Sequence, residues 1–271
     1  MRLTERDKKI IVRCFEDKLL STSSLQRLYF PSRSSCSHRL RILFQNHYLD
    51  RFFFPASPPE MGKKEAYYSV GKRGEGLVSL ELGLTKERIE IHSRTLKRRI
   101  KSYSVLFTLA HINAISMTRF FFERAFAMND RVELISWLPE RLLQQQFKDG
   151  KRRKLRPDAL IKYFTKPNGK KYTAFLEVDL ATESSKQIQK KVSRYLAFSK
   201  TRLPQQRFGT SLFRVIILTT SDKRSKNIKK AVERVTDKIF WITDFSLLKG
   251  DFLELPIFLR AGYKDRCPLI D

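Results

Sequence analysis

Two acidic segments interrupt apolar runs in the middle of this chain: Arg156-Pro157-Asp158 opens one run, and Glu177-Val178-Asp179 closes the next. Side chains on an extended strand alternate between faces, so Glu177 and Asp179 are expected to point the same way. If the two runs pair as neighbouring strands, Asp158 joins them. Three carboxylates brought together in this way offer the oxygen ligands that a hard divalent cation prefers, making Asp158, Glu177 and Asp179 the candidate metal ligands.

The background makes these carboxylates stand out. The chain has 271 residues, with 55 Lys and Arg against 28 Asp and Glu, a formal net charge of +27. A small soluble domain needs a net charge of only roughly 2–8. An excess this large is the electrostatic footprint of a polyanion binder, and nucleic acid is the expected partner. The sequence shows neither a long amphipathic basic helix nor a lipidation signal, which speaks against a membrane surface. Hydrophobic residues make up 41%, including 21 Phe, enough to build a core. Cys14, Cys36 and Cys267 are far apart and outside any CxxC spacing, which fits a reducing compartment and gives no pattern for structural zinc. With no apolar leader at the start and no run long enough to span a bilayer, the expected location is the cytoplasm.

The elements that must position the carboxylates fall into two parts. In residues 1–90, Thr4 is placed to cap a helix with Ile10, Ile11, Cys14 and Phe15 on one stripe. A cluster of cap residues from Ser21 to Ser24 precedes a short second helix, ended by Phe30-Pro31. A third helix follows from Ser32, with Cys36, Leu40, Leu43 and Phe44 at helical spacing. Two β-rich runs, 48–54 and 66–70, flank a turn-rich segment ending in Lys63-Lys64. Three helices followed by a basic-tipped hairpin spell a winged helix-turn-helix. Ser35, His38, Arg39 and Arg41 lie at least partly off the apolar stripe of the third helix and are the candidate DNA contacts, together with Lys63 and Lys64 of the wing. A solvated helix face is the alternative. The run from Arg94 to Lys101, including Arg98 and Arg99, reads as a basic linker over 91–102 that could touch phosphates.

Residues 103–271 alternate between helix and strand. A helix is expected over 105–125 and strands over 132–138, 155–164 and 171–180, the last two joined by the Lys166-Pro-Asn-Gly turn. Then follow a helix over 184–200, a strand over 213–220, a helix over 225–236, and strands over 239–242 and 252–258. This order predicts an α/β (α+β) sandwich around a mixed central sheet.

That order, with an Asp opening the second strand and a Glu in the third, resembles the PD-(D/E)xK nuclease fold. The resemblance implies that Asp158 and Glu177 hold Mg2+ or Mn2+, which activates water and stabilises the leaving oxygen. The motif's lysine lies two residues after the Glu, where this chain has Asp179. Lys186, Lys190 or Lys191 of the next helix could supply the missing cation, and Lys190 and Lys191 are placed to reach back toward the strand. Taken end to end, the chain resembles the replication-relaxation family of bacterial plasmids and mobile elements. The matching stretches are Leu40-Arg-Ile-Leu43, Tyr67-Tyr-Ser-Val-Gly-Lys-Arg-Gly74, His111, Arg156-Pro-Asp158, Phe175-Leu-Glu-Val-Asp179 and the segment from Lys190 to Tyr195. The family implies a winged helix coupled to a degenerate nuclease-like domain, and a role in DNA relaxation, replication or mobilisation.

Each candidate also has a plainer reading. Asp158 and Glu177 could pair with Arg or Lys; Asp179 could cap a helix; Glu140 could be an ordinary surface residue. His111 could be a core histidine, and Tyr195 a packing residue rather than a nucleophile. Two functions therefore remain open: a metal-dependent DNA endonuclease or nickase, and a non-catalytic DNA-binding initiator or regulator that keeps the nuclease-like fold as a platform. Double-stranded DNA is the partner expected in both, and a homodimer is compatible with either.

Overall fold

The computed structural model describes residues 1–54, 65–90, 105–143, 147–149, 152–153 and 155–270. The chain forms two compact units, Met1–Met117 and Thr118–Asp271. The division between them falls within a long helix, Val105–Met128. The basic stretch 91–102 lies outside the described residues. No helix among the described residues is long and apolar enough to cross a membrane.

In the first unit, α1 (Glu5–Glu16) starts at a reciprocal cap: the Thr4 hydroxyl accepts from the Asp7 N–H, and the Asp7 carboxylate accepts from the Thr4 N–H. The stripe Ile10, Ile11, Cys14 and Phe15 is fully buried. Strand β1 (Leu20–Ser21) leads into α2 (Thr22–Tyr29), capped by Ser21. Ser32 caps α3 (Arg33–Gln45), which buries Cys36, Leu40 and Leu43. Strands β2 (Leu49–Phe53) and β3 (Ala66–Val70) pair antiparallel from Leu49↔Val70 to Phe53↔Ala66, and β1 adds to the other side of β3.

Helix α4 (Lys72–Leu82) follows β3 directly. The glycines that open it are there for space. A Cβ on Gly71 would lie 2.6 Å from the His47 carbonyl oxygen, and one on Gly74 would lie 2.4 Å from that of Tyr48. The backbone there is close enough for Gly71 N–H to donate to Tyr48 O at 2.9 Å and for Arg73 N–H to donate to His47 O at 3.0 Å.

The second unit begins with the last turns of α5 (Val105–Met128) and continues through β4 (Val132–Pro139), α6 (Glu140–Leu143), and the strand pair β5 (Lys148–Asp149) and β6 (Arg152–Arg153). Next come β7 (Ala159–Thr165), β8 (Lys170–Val178), α7 (Ser185–Ser199), α8 (Leu203–Phe208) and β9 (Arg214–Thr219). Helix α9 (Asp222–Glu233), β10 (Phe240–Asp244), β11 (Phe258–Arg260) and β12 (Arg266–Cys267) complete it. The strands form a seven-stranded sheet in the order β12-β11-β10-β9-β8-β7-β4. Strands β8, β9 and β10 run parallel and the other pairings are antiparallel, so the sheet is mixed as expected.

Ile188, Val192, Tyr195 and Phe198 of α7 and Ile228 and Val232 of α9 pack with Phe175, Val215 and Ile217 of the sheet in one core. Burying this face fixes α7 over the C-terminal end of β8, where the acidic residues sit.

Three expected strands differ in extent, among them the run over 171–180, which ends at Val178. The run over 155–164 pairs only from Ala159, leaving Asp158 just ahead of the strand. Of the run over 252–258 only Phe258 is in a strand, because Pro256 has no N–H to give to a ladder; Phe252 and Leu253 are instead buried as loop anchors.

Candidate functional site

Asp158 is held by the backbone of the strand beside it. Its N–H donates to Leu176 O at 2.9 Å, and its Oδ2 accepts from the Val178 N–H at 2.8 Å. Glu177 lies on the neighbouring strand beneath α7, only 5% exposed. Its Oε1 accepts from the Tyr195 hydroxyl at 2.6 Å and its Oε2 from Lys191 Nζ at 2.8 Å. Lys191 also reaches Glu183 Oε1 at 2.8 Å, so one ammonium serves two carboxylates.

These contacts set the acid–base character of the group. Burial pushes the Glu177 carboxyl up to about 7; Lys191 opposes that rise, while the nearby Asp158 adds to it. Burial alone would lower the Lys191 ammonium, but Glu177 and Glu183 together hold it above its ordinary range. The Tyr195 phenol is raised by burial and by the adjacent Glu177.

Asp179 does not join this group. It follows the last residue of β8, so the two-residue alternation that would aim it with Glu177 has already ended. Ala181 takes a positive φ of 62°, turning the chain toward α7. The Asp179 carboxylate faces β9 and α9, accepting from Arg224 Nε at 2.8 Å, Arg224 NH2 at 3.1 Å and Thr219 Oγ1 at 3.0 Å. Burial would raise its pKa, but Arg224 and Thr219 outweigh that and hold it below the ordinary carboxylate range.

Asp158, Glu177 and Asp179 therefore do not converge as one set of three ligands. Both oxygens of Glu177 and both of Asp179 are taken by donors from the protein. Among the described residues, no group of three or more His, Cys, Asp or Glu side chains is placed to hold a metal ion. Of the two lysines expected at this site, Lys191 reaches the carboxylates, whereas Lys190 is exposed on the outer side of α7. Glu140 pairs with Arg156 at 2.6 Å, and His111 is half-buried on α5.

Sequence reading missed Arg224 and Glu183. The available signal was an arginine in the first turn of the helix after the apolar run Val215–Leu218, where it can reach the end of the parallel neighbour.

In the first unit, Ser35, His38 and Arg41 are exposed on α3. The Ser35 hydroxyl is already engaged, donating to Ser32 O at 3.0 Å within the capping turn. Arg39 has an internal partner instead of a free surface. Its Nε donates to Asp7 Oδ1 at 2.8 Å and its NH2 to Asp7 Oδ2, tying α3 to the buried Asp7 in the cap of α1. Burial would raise the Asp7 carboxyl; Arg39 and the Thr4 N–H and hydroxyl overcome this and lower it. Lys63, Lys64, Arg98 and Arg99 lie outside the described residues.

Fold and charge thus define a strongly basic, two-unit α/β protein with acidic residues at the end of its central sheet, of which Glu177 is held by Lys191 and Asp179 by Arg224. The chain belongs to the replication-relaxation family, whose sequence model matches residues 15–212, a span from α1 to the approach of β9. No curated protein and no solved structure matches it. Family membership implies a role in the replication or relaxation of plasmid or mobile-element DNA.

Proposed function

We propose that the protein binds double-stranded DNA during replication or relaxation of a plasmid or mobile element, and that it does so without cutting the backbone. The observation that carries this reading is the closure of the acidic cluster. Lys191 and Tyr195 occupy the oxygens of Glu177, while Arg224 and Thr219 occupy those of Asp179. A catalytic metal site needs carboxylate oxygens facing an accessible cavity. Here they form an internal polar network of the kind that fixes a fold.

In this reading the first unit is a winged helix. Helix α3 presents His38 and Arg41 to the major groove, and the β2–β3 hairpin is the wing. The second unit is a nuclease-like scaffold retained as a DNA platform. A competing reading, Mg2+-dependent nicking by Asp158, Glu177 and Lys191, draws support from the placement of Lys191 beside Glu177, where the nuclease motif needs a cation. It requires Lys191 and Tyr195 to release Glu177.

Binding of fluorescent duplexes carrying the protein's native locus, followed by anisotropy, tests the DNA-binding reading. Arg41→Ala is expected to weaken binding by about 1–3 kcal/mol if it reads a base edge. Absence of duplex binding by the wild type would overturn the proposal.

A further inference from the structure

Helices α7 and α9 lie side by side on one face of the second unit's sheet and share its core. Their outer surface is unusually one-sided in charge. Helix α7 (Ser185–Ser199) contains no acidic residue and exposes Lys186, Lys190 and Arg194. These recur every fourth residue and so form one row. On α9 and just beyond it, Lys223, Lys230 and Arg234 are exposed, again at spacings that share a face.

Three of the acidic groups nearby are already occupied. Asp222 is paired with Lys226 and Arg266, Glu233 with Lys229 and the Gly262 N–H, and Glu183 with Lys191. Among the described residues, none of the six exposed cations has an ion-pair partner. The row on α7 borders a groove of about 560 Å³ lined also by Gln189, Ser193 and Val235.

We infer that the outer faces of α7 and α9 form a second DNA-contacting surface that grips the phosphate backbone irrespective of sequence. Successive cations on α7 are about 6 Å apart along the helix axis. A DNA strand advances about 3.4 Å along the axis per phosphate while winding around it, so neighbouring phosphates lie about 7 Å apart and the row can follow successive ones. Gln189 and Ser193 add neutral donors of the kind that phosphate oxygens accept. The surface is preorganised, because Ile188, Val192 and Tyr195 anchor α7 from beneath. Lys190, expected from the sequence to serve the acidic cluster, belongs to this outer row. The inference rests on the proposed DNA-binding function and extends it from the first unit to the second.

The test uses the full chain and labelled duplexes of random sequence, with affinity measured across a salt series. The triple variant Lys186→Gln, Lys190→Gln, Arg194→Gln is expected to bind every duplex at least about tenfold more weakly at low salt. Its log–log salt slope should be shallower by about 3, at about 0.9 per phosphate contact. A second triple variant, Lys223→Gln, Lys230→Gln, Arg234→Gln, should act in the same direction, and thermal melts of both should match the wild type. Wild-type slope and affinity in both variants would overturn the inference while leaving DNA binding by the first unit intact. Failure of the wild type to bind any duplex would sink both. Loss of binding to phosphatidylserine vesicles with an unchanged DNA slope would make the surface a membrane contact and overturn the inference as well.

Discussion

The Tyr195 hydroxyl donates to Oε1 of Glu177 at 2.6 Å in a site from which bulk water is almost wholly excluded. Lys191 covers the other oxygen from the same helix, one turn earlier. A carboxylate held on both sides by its own protein ties α7 to the end of β8, and its removal should register first in stability.

Tyr195→Phe deletes one donor and leaves Oε1 of Glu177 buried without it, a loss of about 1–3 kcal/mol. Lys191→Met removes the cation from a buried carboxylate and should cost about 3–5 kcal/mol. Adding Glu177→Gln to Lys191→Met should recover part of that loss. Urea denaturation of the three variants checks this, and a silent Lys191→Met would contradict the network.

Acidity should act on stability in two windows of opposite sign. Glu177 has an ordinary value of 4.5 and a folded value raised to about 7, so the folded chain holds the extra proton between these values. Stability then falls as pH rises through that window, and Glu177→Gln should flatten the slope. Asp7 and Asp179 are lowered in the fold, so they stabilise above their ordinary carboxylate range and lose that contribution as pH falls through their folded values. Denaturation midpoints across a pH series separate the windows.

Arg39 and Arg41 are two residues apart on α3 and should behave differently. Arg39→Ala strands the fully buried Asp7 and should destabilise the first unit by about 3–5 kcal/mol. Arg41→Ala, at an exposed position, should stay within about 0.5 kcal/mol of wild type. Equal melts for the two variants would remove the structural role assigned to Arg39.

Much of this organisation is visible in the residues themselves. Thr4 and Ser32 announce helix starts, the apolar stripes of α1 and α3 fall where they pack, and the Lys166-Pro-Asn-Gly turn joins β7 to β8 with Gly169 at φ 64°. What stays hidden depends on partners distant in sequence. The off-stripe position of Arg39 describes its own helix and says nothing of Asp7, which arrives from α1. Strand alternation groups Asp179 with Glu177, but the strand stops at Val178 and Arg224 captures the side chain. Helix α4 carries Gly74 and Gly76, each costing about 1 kcal/mol of helix propensity, so its pattern is faint.

Those two glycines give a paired prediction. Gly74→Ala drives a Cβ against the Tyr48 carbonyl at 2.4 Å, which is fixed backbone, and should cost about 1–3 kcal/mol. Gly76 faces open space, so Gly76→Ala should instead stabilise by about 0.5–1 kcal/mol. Thermal melts of the two single variants decide it.

The most direct test of the central claim is incubation of supercoiled plasmid carrying the native locus with the wild-type protein and Mg2+ or Mn2+, beside Asp158→Ala and Glu177→Ala. The predicted result is a shifted complex whose DNA, once the protein is stripped, carries no new nick or double-strand break. Metal-dependent nicked or linear product that disappears in both variants would contradict it and make the acidic cluster a working nuclease site.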